Sequence, residues 1–475
     1  MFRKIFKNLA WLSLGEIVYN GLIALLVIIL ARYLGAEEYG KFNFALSFTA
    51  LFIILADLGI SPLTVRELSK KKELAKTYLS HILPLKLILS LLTLLVIFIF
   101  TQILKKGEEI NLLIYLASLY IIFLSFNQFF TAVCRAFQKM NYEALGKIVQ
   151  GILVFILSIL GIIFHSKTYF FLFAYLLAAF LATIFIAILV KKNISDFSLK
   201  LNFLWQKNIL QKSLPFALTI VFISIYYHID SVMLGLLKNN QQVGWYTAAY
   251  KIIFLFIALK ELVCRNLYPN LSQYFHQNLK NNLKLVISKF EKLGIFFAFP
   301  LSLGTTVLAP KIINFLYGKE YLINSTIALR ILIWANAIIY LNLLFPTFLL
   351  ASNNEKKYMR IVIVGATMNV ILNIILIPSY QLAGAAVATV LTELFIFINA
   401  YSFSQKIIKI NIFKYLPKVL LASTIMAISL IILYPLNLFL LLLLGISIYL
   451  FFIYLLGYFS QEEIKSIKNI FKNAA

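Results

Sequence analysis

Residues 170–190 read FFLFAYLLAAFLATIFIAILV, an uncharged run that is followed directly by Lys191 and Lys192. An α-helix rises about 1.5 Å per residue, so this run is long enough to cross the hydrocarbon core of a bilayer, which is about 30 Å thick. The run does not alternate between polar and apolar residues, which excludes a strand of a membrane barrel. Because a helix satisfies its own backbone hydrogen bonds in lipid, the run predicts a transmembrane α-helix.

The composition of the whole chain agrees with this first span. Of the 475 residues, 62% are hydrophobic and 13% are charged, and the mean hydropathy is +0.92. Soluble globular proteins are about 45–50% apolar and about 25% charged. The composition therefore excludes a soluble multi-domain protein and indicates a chain that lies mostly in lipid.

Similar apolar runs recur along the chain, and they predict an all-α, polytopic membrane protein with about fourteen transmembrane helices. The first run contains Glu16 and Asn20 and lacks a cleavage site of small residues, so it is predicted to be a membrane span and not a signal peptide. The predicted spans are residues 10–33, 41–64, 78–102, 110–132, 144–164, 169–190, 213–236, 244–265, 294–316, 325–351, 359–379, 384–405, 416–434 and 438–458.

The distribution of Lys and Arg predicts the orientation in the membrane. The termini and the loops after even-numbered spans hold 31 of the 43 basic residues, the loops after odd-numbered spans hold 8, and four lie within spans. Basic loops stay on the cytoplasmic side, so both termini are predicted to be cytoplasmic in a multi-pass protein of the cell membrane. The net charge of +25 thus reflects contact with membrane lipids, and no nucleic-acid partner is predicted. Cys134 and Cys264 lie near cytoplasmic helix ends and are predicted to be reduced thiols.

A weak internal repeat predicts the domain organisation. Residues 40–57 align with residues 244–261, and Pro84 aligns further along with Pro300. The shared order of these matches predicts two six-helix lobes, residues 1–192 and 193–410, related as a parallel repeat. Residues 411–475 would form two trailing helices and a cytoplasmic tail.

The connection over residues 266–293 carries an amphipathic pattern. Its apolar residues Leu283, Val286, Ile287 and Phe290 are spaced by three and four, with Lys280, Lys284 and Lys289 between them. Such a pattern is typical of a helix that lies on the cytoplasmic membrane interface. A helix packed against the bases of the lobes fits the same pattern.

Polar side chains recur one helical turn apart inside the predicted spans. The pairs are Glu16/Asn20, Asp57/Ser61, Ser224/His228, Tyr226/Asp230, Thr247/Lys251, Asn369/Asn373 and Thr389/Glu393. Ionisable groups in a span are costly, so each requires a partner or a hydrated cavity. The pairs could line a central cavity, or they could form hydrogen bonds between helices. By depth, Asp230 and Lys251 could neutralise one another.

Sequence motifs for catalysis and cofactor binding are lacking. The four histidines show no metal-ligand spacing, and the chain has no GxxxxGK[ST] phosphate loop. The sequence therefore predicts neither an enzyme nor a metal or organic cofactor.

Four stretches in order resemble a known family. They are ARYLGAEEYG (31–40) with ADLG (56–59), HIDSVMLG (228–235) with VGWYTAAY (243–250), MNVILN (368–373) with Ile377 and Pro378, and GAAVATVLTE (384–393). Together they are similar to the polysaccharide-biosynthesis, Wzx-type flippases, whose superfamily also contains multidrug-and-toxin exporters and lipid II flippases. The chain departs from the pattern at His228, where Arg often precedes the Asp, and an imidazole can change charge near neutral pH.

The resemblance implies two six-helix lobes around a cavity that opens alternately to each side of the membrane. It also implies transport of an isoprenoid-pyrophosphate-linked oligosaccharide from the cytoplasmic to the outer leaflet, driven by a gradient of H⁺ or Na⁺. Polysaccharide polymerase and glycosyltransferases are the protein partners to expect.

A diphosphate-sugar headgroup cannot cross hydrocarbon bare, so the cavity must supply cations and hydrogen bonds. The substrate-binding candidates are Lys86, Lys251, Arg330, Asn20, Asn369 and Asn373. The ion-coupling candidates are Glu393, Asp57, Asp230, Glu16 and His228.

Three alternative functions remain open at this point. A cation-coupled multidrug exporter of the same superfamily is one, although the cavity candidates are mixed in sign and two helices exceed the usual twelve. A lipid II flippase is another, although the first span lacks the inward arginines of that branch. A structural membrane protein is the third, but it would leave the intramembrane acids unexplained.

Overall fold

The computed structural model describes the backbone of residues 2–461 and 463, and the side chains of residues 11–461 and 463 except Thr219, Leu259, Leu262 and Arg265. This part of the chain is helical and contains no strand. The helices are α1 (Phe2–Ala50), α2 (Ile53–Asp57), α3 (Ile60–Lys70), α4 (Ala75–Leu104), α5 (Glu108–Ala136), α6 (Met140–Ile163), α7 (Thr168–Asn193), α8 (Phe203–Leu237), α9 (Asn240–His276), α10 (Lys280–Tyr317), α11 (Asn324–Leu341), α12 (Phe345–Ala351), α13 (Glu355–Ile407), α14 (Leu416–Ile432) and α15 (Leu438–Leu455). The all-α membrane fold is confirmed.

The number of membrane spans depends on two very long helices. Eleven helices of the described chain are long and apolar enough to cross a membrane. Two of them, α1 and α13, each contain one residue with non-helical backbone angles, Gly35 (φ 73°) and Gln381 (φ 52°). A straight helix of 53 residues would measure about 80 Å, against a hydrocarbon core of about 30 Å. Each long helix therefore consists of two segments, and the count of about fourteen spans stays a prediction.

The predicted span 41–64 is not continuous, which corrects the sequence-based assignment. Helix α1 ends at Ala50, α2 covers only Ile53–Asp57, and α3 begins at Ile60. Between α2 and α3, Leu58 (φ 44°) and Gly59 (φ 74°) adopt left-handed conformations. A Cβ atom on Gly59 would lie 2.5 Å from the carbonyl oxygen of Ser213, so the chain needs glycine there. The break places Asp57 at the C-terminal end of α2, where the residue is buried.

The predicted span 325–351 is also broken. Helix α11 ends at Leu341, α12 begins at Phe345, and residues 342–344 are non-helical. The residues of this break, Asn342, Leu343 and Leu344, are all buried. Buried backbone groups that lose their helical partners need others, so the break requires support from neighbouring side chains.

Contacts divide the chain into two compact units, Met1–Thr247 and Ala248–Ala475. In the first unit, α1 packs against α6 and α5 packs against α7. In the second unit, α10 packs against α11 and α14, and α11 packs against α13. The lobe boundaries at residues 192 and 410 come from the internal repeat, a different criterion, and they stay predictions.

Two glycines in the first unit bring α1 and the start of α9 into backbone contact. A Cβ atom on Gly40 would lie 1.7 Å from the carbonyl oxygen of Asn240. A Cβ atom on Gly244 would lie 1.9 Å from the carbonyl oxygen of Ala36. Any larger residue at either position would force the two helices apart.

The amphipathic segment before residue 294 is not a separate interfacial helix. Helix α9 continues to His276, and α10 begins at Lys280 and runs without interruption to Tyr317. Leu283 and Ile287 are buried. The segment is therefore the packed beginning of a membrane-spanning helix, which agrees with the second of the two alternatives above.

Candidate functional site

The break between α2 and α3 holds a cluster of charged and polar groups, which we call the Asp57–Lys86 cluster. Lys86, on α4, has no exposed surface, and its Nζ lies 2.7 Å from Oδ1 of Asp57. The same ammonium donates to the carbonyl oxygen of Ala56 at 3.1 Å and to Oγ of Ser125 at 2.6 Å. The Asp57 carboxylate also accepts from the Ser61 hydroxyl at 2.6 Å and from the Ser61 backbone N–H at 3.1 Å.

The cluster explains how a broken helix is held inside the first unit. The ammonium of Lys86 has three N–H donors, and each has an acceptor of good geometry. One acceptor, the Ala56 carbonyl, lies in the last turn of α2, where carbonyl groups have no hydrogen-bond partner within the helix. A diphosphate that bound Lys86 in this conformation would have to displace one of these acceptors. The predicted roles of Lys86 in substrate binding and of Asp57 in ion coupling stay predictions.

A second charged cluster joins α1, α5 and α6 in the same unit. The fully buried carboxylate of Glu143 accepts from Nε of Arg135 at 2.7 Å and lies 3.2 Å from Nζ of Lys147. Lys147 also contacts Glu16 at 2.8 Å, and Glu16 accepts from Nδ2 of Asn20 at 3.3 Å. Glu16 and Asn20 were candidates from the sequence, whereas Arg135, Glu143 and Lys147 were not.

Two further candidates, His228 and Asp230, lie on α8 (Phe203–Leu237). Asp230 is 6% exposed, and its Oδ2 accepts from the hydroxyl of Tyr246 at 2.8 Å. His228, two residues earlier, is half-buried. The pairing of Asp230 with Lys251 stays a prediction, because the two residues belong to different compact units.

In the second unit, Glu393 lies in the middle of the segment of α13 that follows Gln381. It is 3% exposed, and in the described chain its Oε1 has no hydrogen-bond partner. Its neighbours Thr392 and Ile396 pack against Gly365 on the preceding segment of the same helix. A buried carboxyl group with an unused oxygen can take up a proton or bind a cation.

The remaining candidates of the second unit differ in burial. Asn369 and Asn373 are buried and share a hydrogen bond of 3.1 Å from Nδ2 of Asn373 to Oδ1 of Asn369. Lys251 and Arg330 are exposed, and Nε of Arg330 donates to the carbonyl oxygen of Thr306 at 3.1 Å. The two amides therefore share a hydrogen bond, whereas the backbone carbonyl oxygen of Thr306 holds Arg330.

Sequence reasoning missed a buried acid at the break between α11 and α12. Glu291 has no exposed surface, and its Oε1 accepts from the backbone N–H of Leu344 at 2.7 Å. At the preceding residue of the break, the carbonyl oxygen of Leu343 accepts from the thiol of Cys264 at 3.0 Å. Two side chains thus satisfy backbone groups that the break leaves unpaired. Glu291 lies in a stretch that the sequence assigns to a polar connection, so no signal distinguished it from a surface acid.

Metal-binding residues do not cluster in the part of the chain that the structure describes. No three or more His, Cys, Asp or Glu side chains come close enough there to hold a metal ion. The candidate sites are therefore separate charged groups, each at a helix break or in a helix interior.

These features define a class of protein: a polytopic helical membrane protein with broken helices and buried charges, as transporters have. The sequence profile described as polysaccharide biosynthesis protein matches residues 5–275, and the MatE profile matches residues 215–375. The first match covers more than half of the chain, so the chain belongs to the polysaccharide biosynthesis protein family.

Curated relatives agree with the family assignment. The chain is 26% identical over 385 residues to a probable low-salt glycan biosynthesis flippase of Haloferax volcanii, covering 80% of this chain and 79% of the relative. It is 23% identical over 406 residues to a capsular polysaccharide biosynthesis protein of Staphylococcus aureus, covering 84% and 99%.

Solved structures agree with the fold. A lipid II flippase in an inward closed conformation matches with a TM-score of 0.79 at 18% identity, over 93% of this chain and 97% of that one. An inward-facing multidrug transporter of the MOP superfamily matches with a TM-score of 0.69 at 18% identity, over 84% and 97%. The chain therefore has the fold of this transporter superfamily.

Proposed function

We propose that the protein is a flippase that moves an isoprenoid-pyrophosphate-linked oligosaccharide from the cytoplasmic to the outer leaflet of the cell membrane. It acts by alternating access and as a transporter, not as an enzyme. The family match over residues 5–275 carries this proposal. It is supported by relatives that are named as glycan and capsular polysaccharide biosynthesis proteins and that align over about four fifths of the chain.

The physical demands of the substrate agree with the charges of the protein. A diphosphate that crosses the hydrocarbon of the bilayer without polar partners pays a far too large desolvation cost. The protein must therefore surround it with water, hydrogen-bond donors or cations on its way across. Lys251 and Arg330 are candidate cations for binding the diphosphate, and Lys86 is a separate candidate that would first have to release Asp57. Asn20, Asn369 and Asn373 would bond the sugars. The isoprenoid tail would remain in lipid.

Coupling to a gradient of H⁺ or Na⁺ completes the proposal. Glu393 is the first candidate because its Oε1 has no hydrogen-bond partner in the described chain. Asp57, Asp230, Glu16 and His228 are further candidates. A proton or cation that binds one conformation more tightly than the other shifts the balance between them by that difference in affinity.

The orientation belongs to the proposal, with both termini in the cytoplasm. Single cysteines in a background without Cys134 and Cys264 would test it. A cysteine at Lys319 should react in sealed cells with a thiol reagent that cannot cross membranes, whereas one at Lys71 should not. Labelling of the cysteine at Lys71 but not of the one at Lys319 would show the opposite orientation, with both termini outside the cell.

Deletion of the gene tests the flippase function directly. The lipid-linked oligosaccharide should then accumulate on the cytoplasmic leaflet, and re-expression of the intact chain should restore its transfer. Of the proposed partners, the glycosyltransferases would continue to build the intermediate, whereas the polymerase would lack its substrate on the outer leaflet. Unchanged amounts and sidedness of the lipid-linked intermediates would contradict the proposal.

A multidrug exporter is the second candidate, because the MatE profile matches residues 215–375. Such an exporter should lower the accumulation of cationic dyes in cells that express it. Deletion of the gene would favour this candidate over the flippase if the strain became sensitive to cationic compounds while its glycan export stayed normal.

A further inference from the structure

A cavity of about 350 Å³ lies in the second unit where the ends of three helices meet. The first turns of α10, the residues just before α14 and Glu463 beyond the end of α15 form its wall. We call it the basic pocket and define it by Lys284, Ser288, Lys289, Lys292, Lys414 and Tyr415. None of the candidates for substrate binding or ion coupling lines it.

The four lysines of the basic pocket face a single described acid. Lys292 is 7% exposed, and its Nζ lies 2.7 Å from Oε2 of Glu463. The rings of Tyr415, Tyr458 and Phe459 surround the same ammonium at 5.4, 5.1 and 5.2 Å. Lys292 is thereby fixed in place and neutralised by the acid.

The other three lysines keep their charge for a ligand. Lys284, Lys289 and Lys414 are exposed, and no carboxylate of the described chain lies within ion-pair distance of them. The hydroxyl of Ser288 and the amide of Asn281 add neutral hydrogen-bond donors to the same wall. This set repels cations and suits an anion with several oxygen acceptors, such as a phosphate.

The location of the basic pocket indicates that this phosphate belongs to a lipid. Helices α10 and α14 begin at the pocket, and α15 ends beside it, so the pocket lies at the level where membrane-spanning helices leave the bilayer. Two apolar side chains stand beside the lysines, Leu285 at 55% and Phe413 at 48% exposure. A lipid would place its headgroup on the lysines and its acyl chains along these residues.

We propose that the basic pocket is a binding site for the phosphate headgroup of an anionic membrane phospholipid. Its position between α10, α14 and the segment after α15 means that a bound headgroup ties these helix ends together. The site is independent of the transported substrate, so its test needs no transport assay.

The test uses the full chain purified in a non-ionic detergent, with dioleoylphosphatidylglycerol as the probe and native mass spectrometry as the readout. Each lysine near a membrane surface contributes about fivefold to the binding of an anionic lipid. Replacing Lys284, Lys289 and Lys414 together with alanine should therefore weaken binding about 100-fold. Lys292 is left intact because its ion pair supports the fold. The matched control replaces Lys70, Lys71 and Lys72 with alanine, three exposed lysines of the first unit outside the basic pocket, and should keep most of the binding.

A second variant separates a lost site from a lost fold. Replacing the same three lysines with arginine keeps the charge and should retain the lipid, whereas loss of binding in this variant as well would overturn the proposal. Equal binding by the alanine variant and the intact chain would also overturn it. Full competition by inorganic pyrophosphate or farnesyl diphosphate would assign the pocket to a diphosphate, free or isoprenoid-linked, and would refute the phospholipid assignment.

Discussion

Replacement of Lys86 with methionine should destabilise the first unit strongly. The change keeps the length of the side chain but removes three hydrogen bonds, to Asp57, Ala56 and Ser125, at 2.7, 3.1 and 2.6 Å. It also leaves a carboxylate that is 4% exposed without its counter-ion. Removal of one partner from a buried ion pair costs about 3–5 kcal/mol. We expect a loss of this size in the free energy of unfolding.

A double replacement distinguishes the ion pair from simple packing. When Asp57→Asn accompanies Lys86→Met, no buried charge is left alone, and most of the lost stability should return. Chemical unfolding in mixed micelles, followed by intrinsic fluorescence, would measure all four proteins of the cycle. Lys76→Met, an exposed change on the same helix, is the matched control. The reasoning fails if Lys86→Met is as stable as that control, or if the two changes are simply additive.

Three further predictions concern a helix contact, the coupling acid and the effect of pH. Gly244→Ala places a methyl group 1.9 Å from a carbonyl oxygen, so it should cost about 1–3 kcal/mol in micelle unfolding, whereas Gly21→Ala, with open space around it, should not destabilise; equal stabilities would refute the contact. Glu393→Gln should insert normally and bind substrate but lose the response of translocation to an imposed H⁺ or Na⁺ gradient in vesicles, and an unchanged response would leave Glu393 a purely structural role. Burial of Glu463 acts to raise its pKa, but Lys292 and the Ser460 backbone N–H outweigh this and lower the pKa below 4.5. The stability from this ion pair is therefore complete above about pH 4.5 and lost as the pH falls through the lowered pKa. The thermal unfolding temperature of Glu463→Gln should accordingly change less between neutral and acidic pH than that of the intact chain. Parallel pH profiles of the two proteins would contradict the assignment.

The helices could be predicted from the sequence because lipid imposes one requirement on every span: about twenty apolar residues in a row. The run 170–190 lies within α7 (Thr168–Asn193), and the pair Asn369/Asn373 forms the hydrogen bond that its spacing allows. The break at Gly59 could not be predicted this way, because Gly59 lies between the apolar residues Leu58 and Ile60, and Asp57 and Ser61 are spaced as on one face of a continuous helix. What requires glycine there is the carbonyl oxygen of Ser213, which is remote in sequence.

The buried acids show a second limit of sequence reasoning. Glu143 and Glu291 lie near predicted helix ends, where an acid is normally solvated, so the pattern favours a surface position. Their burial follows from tertiary contacts, with Arg135 for one and with the Leu344 backbone for the other. Glu393, in contrast, lies mid-span, and its burial was predictable because an acid there has no polar solvent to reach.

The contact of Gly40 and Gly244 constrains how the two helices can change in evolution. Where side chains meet, a larger residue on one helix can be offset by a smaller one on the other. Here each glycine faces a main-chain carbonyl, of Asn240 or Ala36, and a carbonyl cannot be made smaller. No second substitution can therefore compensate for the loss of either glycine. Homologous chains that retain this crossing should keep both glycines, and chains that lose one should lose the close crossing altogether.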